Sequence, residues 1–137
     1  MGVSDEDYEI TRDGRLVTLR MLHDVDDPDV IACIAQTMKT YLCSRSKSHG
    51  PIALLIDLRE CVAFKSAHVL STVSILVGEK DAVLQYLIGS AVLMRHNLAV
   101  APLRAMFDRL YKSTRPFSIF SEEAEARRFL TTLARTT

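Results

Sequence analysis

Apolar residues alternate with polar ones in some stretches of this chain, run together in others, and elsewhere recur every three or four positions. Each rhythm predicts a different element. Glu9-Ile10 and Leu16-Val17-Thr18-Leu19-Arg20-Met21 read as two strands around Arg12-Asp13-Gly14-Arg15, where Asp-Gly is a strong hairpin signal. Leu16, Thr18 and Arg20 alternate with Val17, Leu19 and Met21, which predicts one buried and one half-wet face. Asp27-Pro28-Asp29 then has the chemistry of a helix start: a capping side chain, a proline at the first helical position and an acid in the first turn. The predicted helix turns Ile31, Ile34, Ala35, Met38, Tyr41 and Leu42 inward and ends in the polar stretch Ser44 to Gly50.

Ile52-Ala53-Leu54-Leu55-Ile56, closed by Asp57, is apolar without alternation, as expected of a central strand covered on both faces. A loop from Leu58 to Lys65 leads to Ser66, which can cap a second helix with Leu70, Val73 and Val77 inside, broken at Gly78-Glu79-Lys80-Asp81. Leu87 to Met94 is a further buried strand. Arg95-His96-Asn97 turns the chain towards Pro102 and a third helix with Leu103, Met106, Phe107, Leu110 and Tyr111 on one face. Phe117-Ser118-Ile119-Phe120 is a short strand, and Ser121-Glu122-Glu123 opens a last helix with Ala126, Phe129, Leu130 and Leu133 inside. The expected order is β-β-α-β-α-β-α-β-α: an α/β (α+β) domain with a single mixed sheet of about five strands. Residues 8–134 form that domain and 1–7 a flexible acidic N-terminus.

The chain has 137 residues, 48% of them hydrophobic and 25% charged, which suits one soluble domain with a core of its own. Seventeen basic residues balance seventeen acidic ones, so the basic excess of a dedicated nucleic-acid binder is missing. The balance hides an asymmetry. Residues 1–29 hold nine acids and three bases, whereas 95–115 hold Arg95, Arg104, Arg109, Lys112 and Arg115 against Asp108 alone. Those bases flank an apolar stripe, giving a basic amphipathic segment suited to an acidic partner or an anionic membrane surface. Arg95, His96, Arg104, Met106, Phe107, Arg109, Tyr111 and Lys112 are therefore the candidate ligand or partner surface. Met106, Phe107 and Tyr111 could also support self-association. The alternative is that the stripe is core and the bases a solvated face.

Candidate chemistry is sparse. Cys33, Cys43 and Cys61 match neither a zinc motif nor a Cys-x-x-Cys redox pair, and read as reduced thiols of a cytoplasmic protein. The acidic run from His23 to Asp29 has neither the glycine nor the distal Glu of a calcium loop. Cys61 and His68 are the best placed for a nucleophilic pair, but nothing local orients the histidine. No catalytic constellation, metal ligand set or cofactor motif is expected. Arg95, His96 and Arg104 interrupt the most apolar run, Leu87 to Phe107, which argues against a membrane span.

The element order resembles that of STAS domains, above all the stand-alone SpoIIAA-like branch, whose fold is akin to the CRAL-TRIO lipid-exchange module. Leu54-Leu55-Ile56-Asp57-Leu58-Arg59 is similar to the central strand and exit loop, and Leu87 to Met94 to the next strand. Arg115 to Leu130, with its strand ending in Phe and its Glu-Glu-Ala helix, is similar to the closing block. The likeness spans roughly residues 8–133. It implies a non-catalytic binding or regulatory domain acting through protein contacts. Through the CRAL-TRIO kinship it also implies, as an alternative, a carrier or sensor of a lipid-like ligand. Phosphoswitch STAS proteins present a serine within Asp-Ser-Ser-Gly at the start of the second helix; the matching stretch here is Lys65-Ser66-Ala67-His68. The aspartate and glycine are missing, and only a one-residue shift brings Ser66 to the regulated position. Ser66 is thus a candidate phosphorylation site or an ordinary helix cap.

Overall fold

The computed structural model describes residues 3–4, 7–23, 27–60, 87–95 and 117–135. The predicted second and third helices, with their inward-facing residues, lie outside these. Six strands form one sheet in chain order: β1 (Val3–Ser4), β2 (Tyr8–Asp13), β3 (Leu16–Met21), β4 (Ile52–Asp57), β5 (Leu87–Leu93) and β6 (Phe117–Phe120). The first three are antiparallel, and β3 to β6 run parallel. Two helices are described, α1 (Pro28–His49) and α2 (Glu123–Arg135). The single mixed sheet with five principal strands is as expected. The two-residue β1 is an addition, pairing with Glu9 and Ile10 from within the segment expected to be a flexible acidic extension.

The opening hairpin is longer than its apolar pattern suggested. β2 extends past Ile10 through the exposed Thr11, Arg12 and Asp13, because each pairs with β3 whether or not it is buried. Asp13 and Leu16 are partners, so Gly14 takes the first place of a two-residue turn, with φ +62°. A glycine first with positive φ is the pattern of a type II′ turn, whose twist matches that of the strands. From the same turn Arg15 Nε donates to the Pro51 carbonyl (2.9 Å) and its Nη1 to that of Ala134 (3.3 Å), joining the hairpin to the last turn of α2.

The start of α1 follows the predicted capping chemistry: the Asp29 amide donates to Asp27 Oδ1 at 2.9 Å. Its end does not. The helix continues through the polar stretch from Ser44 and stops at His49. Polar residues keep adequate helix propensity, so polarity alone does not break the helix. Gly50, with φ +78°, ends it in the left-handed conformation usual just past a helix.

Alternation along β4 feeds two cores. Ile52 and Leu54 join Tyr8, Ile10, Val17 and Leu19 under Ile34, Met38 and Leu42 of α1, with Tyr41 and Ile56 packed at the margin. Ala53 and Leu55 join Ala91 and Leu93 of β5 under Ala126 and Leu130 of α2, flanked by Leu16, Phe120, Phe129 and Leu133. The Phe120 and Phe129 rings meet at 5.4 Å between centroids, tilted by 52°. A register shift beside Ile52 leaves Ile88 as an extra residue, since Leu87 faces Ile52 while Gly89 already faces Ala53. β4 is therefore covered on both sides, as its unbroken apolar run predicted.

Candidate functional site

Four parallel strands finish along one edge of the sheet. Arg20 of β3 is the register partner of Asp57, Asp57 that of Leu93, and Leu93 that of Phe120. Chain segments leave the sheet along this edge, and open α/β sheets characteristically bind ligands beyond the carboxyl ends of their strands. Asp57 follows Ala53 and Leu55 in alternation, so it points to the face that α2 covers. α2 begins three residues beyond the end of β6, which brings Glu123 to the same place.

An ion network follows from this placement. Asp57 is buried, 4% exposed, and Arg59 grips it with Nε to Oδ1 at 3.0 Å and Nη2 to Oδ2 at 2.8 Å. The Arg59 amide adds a third bond to Oδ1 at 3.1 Å. Arg59 Nη2 also reaches Glu123 Oε1 at 2.7 Å, while Arg127 Nε holds Glu123 Oε2 at 2.7 Å from one helical turn further on. Burial pushes the Asp57 carboxyl up, but the Arg59 hydrogen bonds and the charges of Arg59 and Arg20 outweigh it and hold the group below its ordinary range. Glu123 is lowered chiefly by its hydrogen bond to Arg127, against some desolvation and with help from Arg59. Asp57, first of all, raises Arg59 above its already high value, so that guanidinium is permanently charged.

Three further contacts frame the network. Arg20 and Glu60 pair loosely at 3.5 Å, both more than two-fifths exposed. Arg95, exposed just past the end of β5, donates from Nε to the Arg59 carbonyl. His23 Nε2 lies 2.9 Å from Asp7 Oδ1, where the start of β2 adjoins the end of β3.

Of the residues proposed from the sequence as a ligand or partner surface, Arg95 is described and lies in this assembly. His96, Arg104, Met106, Phe107, Arg109, Tyr111 and Lys112 lie outside the described residues, as do Ser66, Cys61 and His68. Cys33 is exposed and Cys43 half-buried on α1. Sequence reasoning singled out Asp57 and Arg59 only as part of a strand and its exit, and missed the network they form. An acid closing an apolar run with an arginine two positions on was the available signal, as was the helical spacing of Glu123 and Arg127. No described helix is long and apolar enough to cross a membrane.

No family model and no curated protein matches the chain. Solved structures do. The chain is similar to an uncharacterized protein of the DUF3478 family with a SpoIIAA-like fold from Shewanella loihica PV-4, at 14% identity and TM-score 0.56, over 90% of this chain and 91% of that one. It is also similar to a chain in the crystal structure of the diguanylate cyclase SiaD in complex with its activator SiaC from Pseudomonas aeruginosa. That match has 13% identity and TM-score 0.52, over 88% of this chain and 98% of the other. With its sheet of parallel strands, antiparallel opening hairpin and closing helix, the chain has a SpoIIAA-like fold.

Proposed function

We infer that this chain is a non-catalytic binding or regulatory domain that acts by protein contact, using the carboxyl edge of its parallel strands. The observation that carries the reading is the network at that edge. Asp57 and Glu123 are each held by arginine, which removes them from general acid or base work, since a catalytic carboxyl has to exchange its proton near the working pH. A second support comes from the fold: one neighbour comes from a complex of an enzyme with its activator, an assembly made by protein contact. The reading places the domain in the cytoplasm, where Cys33 and Cys43 stay reduced.

The test is cross-linking in cells of the source organism, then reciprocal purification and titration of the recombinant pair. A saturable complex with one partner protein, or with a second copy of this chain, is the expected result. Reproducible turnover of a metabolite panel, abolished by Cys61→Ala or His68→Ala, would overturn the reading, as would failure to recover any partner.

A further inference from the structure

The ion network treats its arginines unequally. Asp57 accepts three bonds from Arg59, both oxygens of Glu123 are taken by Arg59 and Arg127, and Glu60 pairs with Arg20. Arg95 receives none of these carboxylates. Among the described residues its guanidinium meets a carbonyl oxygen only, that of Arg59, through Nε. It is exposed, and it leaves the sheet from β5, whose neighbours on both sides are parallel strands.

We propose that Arg95 is the anchor by which this edge receives an acidic segment of a partner protein. The inference rests on the functional reading above and supplies the chemistry of the partner. Three physical features favour it. The Nε bond restrains the guanidinium before any partner arrives, which lowers the ordering cost of binding. Among the described residues the two Nη groups are left over, and a planar pair of N–H donors matches the two oxygens of a carboxylate. Asp57 and Glu123 are already committed to Arg59 and Arg127, so they compete weakly for Arg95. Arg20, two strands away and so roughly 10 Å across the sheet, is a second cation within reach. Its pair with Glu60 is long and exposed on both sides, so water screens it and an incoming acid can exchange with it.

The test uses the full chain at about 0.15 M ionic strength. Fluorescence anisotropy follows a short labelled peptide alternating Glu with Ala, and its counterpart with Gln in place of Glu. Phosphatidylserine vesicles and inorganic phosphate are titrated in parallel. The Glu peptide is expected to bind saturably and more tightly than the Gln peptide. Arg95→Gln is expected to weaken it about tenfold, equivalent to about 1.4 kcal/mol. Arg95→Lys, which keeps the charge but loses the planar fork, falls between the two. Arg12→Gln, exposed near the hairpin turn at the opposite end of the sheet, leaves binding unchanged. Equal binding of both peptides, an Arg95→Gln protein that binds as the original does, or binding of vesicles or phosphate alone would each overturn the proposal. A partner recovered from cells whose affinity ignores Arg95→Gln removes this inference and leaves the functional reading standing; recovery of no partner removes the functional reading itself.

Discussion

Asp57 and Arg59 show how one buried charge can be kept. A carboxylate at 4% exposure pays heavily for desolvation unless most of its lone pairs are occupied, and here three donors from a single residue occupy them. Arg59→Ala leaves that carboxylate buried and short of donors. The expected loss is about 2–3 kcal/mol, below the figure for a fully buried pair because Arg59 is itself 37% exposed. Urea denaturation at pH 7 measures it, and Arg59→Lys should recover part of the loss. The pH dependence has a definite sign. Asp57 is lowered in the folded state, so at moderately acid pH the unfolded chain binds its proton first. The stabilisation is complete at neutral pH and disappears as pH falls below about 4. In Asp57→Asn the acid-induced drop in stability should be smaller, and an unchanged slope between pH 5 and pH 3 would contradict the assignment.

At the scale of elements, the boundaries differ in how local their causes are. The cap at Asp27 needs only its own helix, so α1's start was legible in the sequence. Asp27→Ala should cost about 1 kcal/mol, whereas Asp27→Asn, an equally good capping residue, should be nearly neutral in the same thermal melts. The end of α1 was misplaced because polarity signals exposure rather than helix termination; Gly50 was the better marker. The extra length of β2 is set by its partner strand and has no apolar signature of its own. α2 was the most legible helix, because its inward residues recur at helical spacing and meet the sheet directly. Leu130, fully buried between α2 and the sheet, should lose about 2–5 kcal/mol on replacement by Ala. Arg128→Ala, two residues earlier on the same helix and exposed, should change little.

For the molecule as a whole, the fold was easier to read than the site. Fold class follows from runs and periods within short windows. The site depends on Arg59 meeting Glu123 across 64 residues, a contact fixed by which strands lie side by side. β4 and β5 lie inside the sheet with cores built on both faces of β4, so their amides should be the last to exchange in deuterium oxide. β1, two residues at the sheet's margin, should exchange first; strong protection there would mean that something else covers it. Because strands are laid down in chain order, each finds its neighbour already waiting, and among the described residues the first core draws on nothing beyond β5. The other face is different: among the described residues, the cover for Ala53, Leu55, Ala91 and Leu93 is α2, which follows every strand of the sheet. Deleting residues 123–135 would therefore strip that cover and leave an oily slab, so the shortened protein should be cleared by proteases rather than tolerated as mildly trimmed.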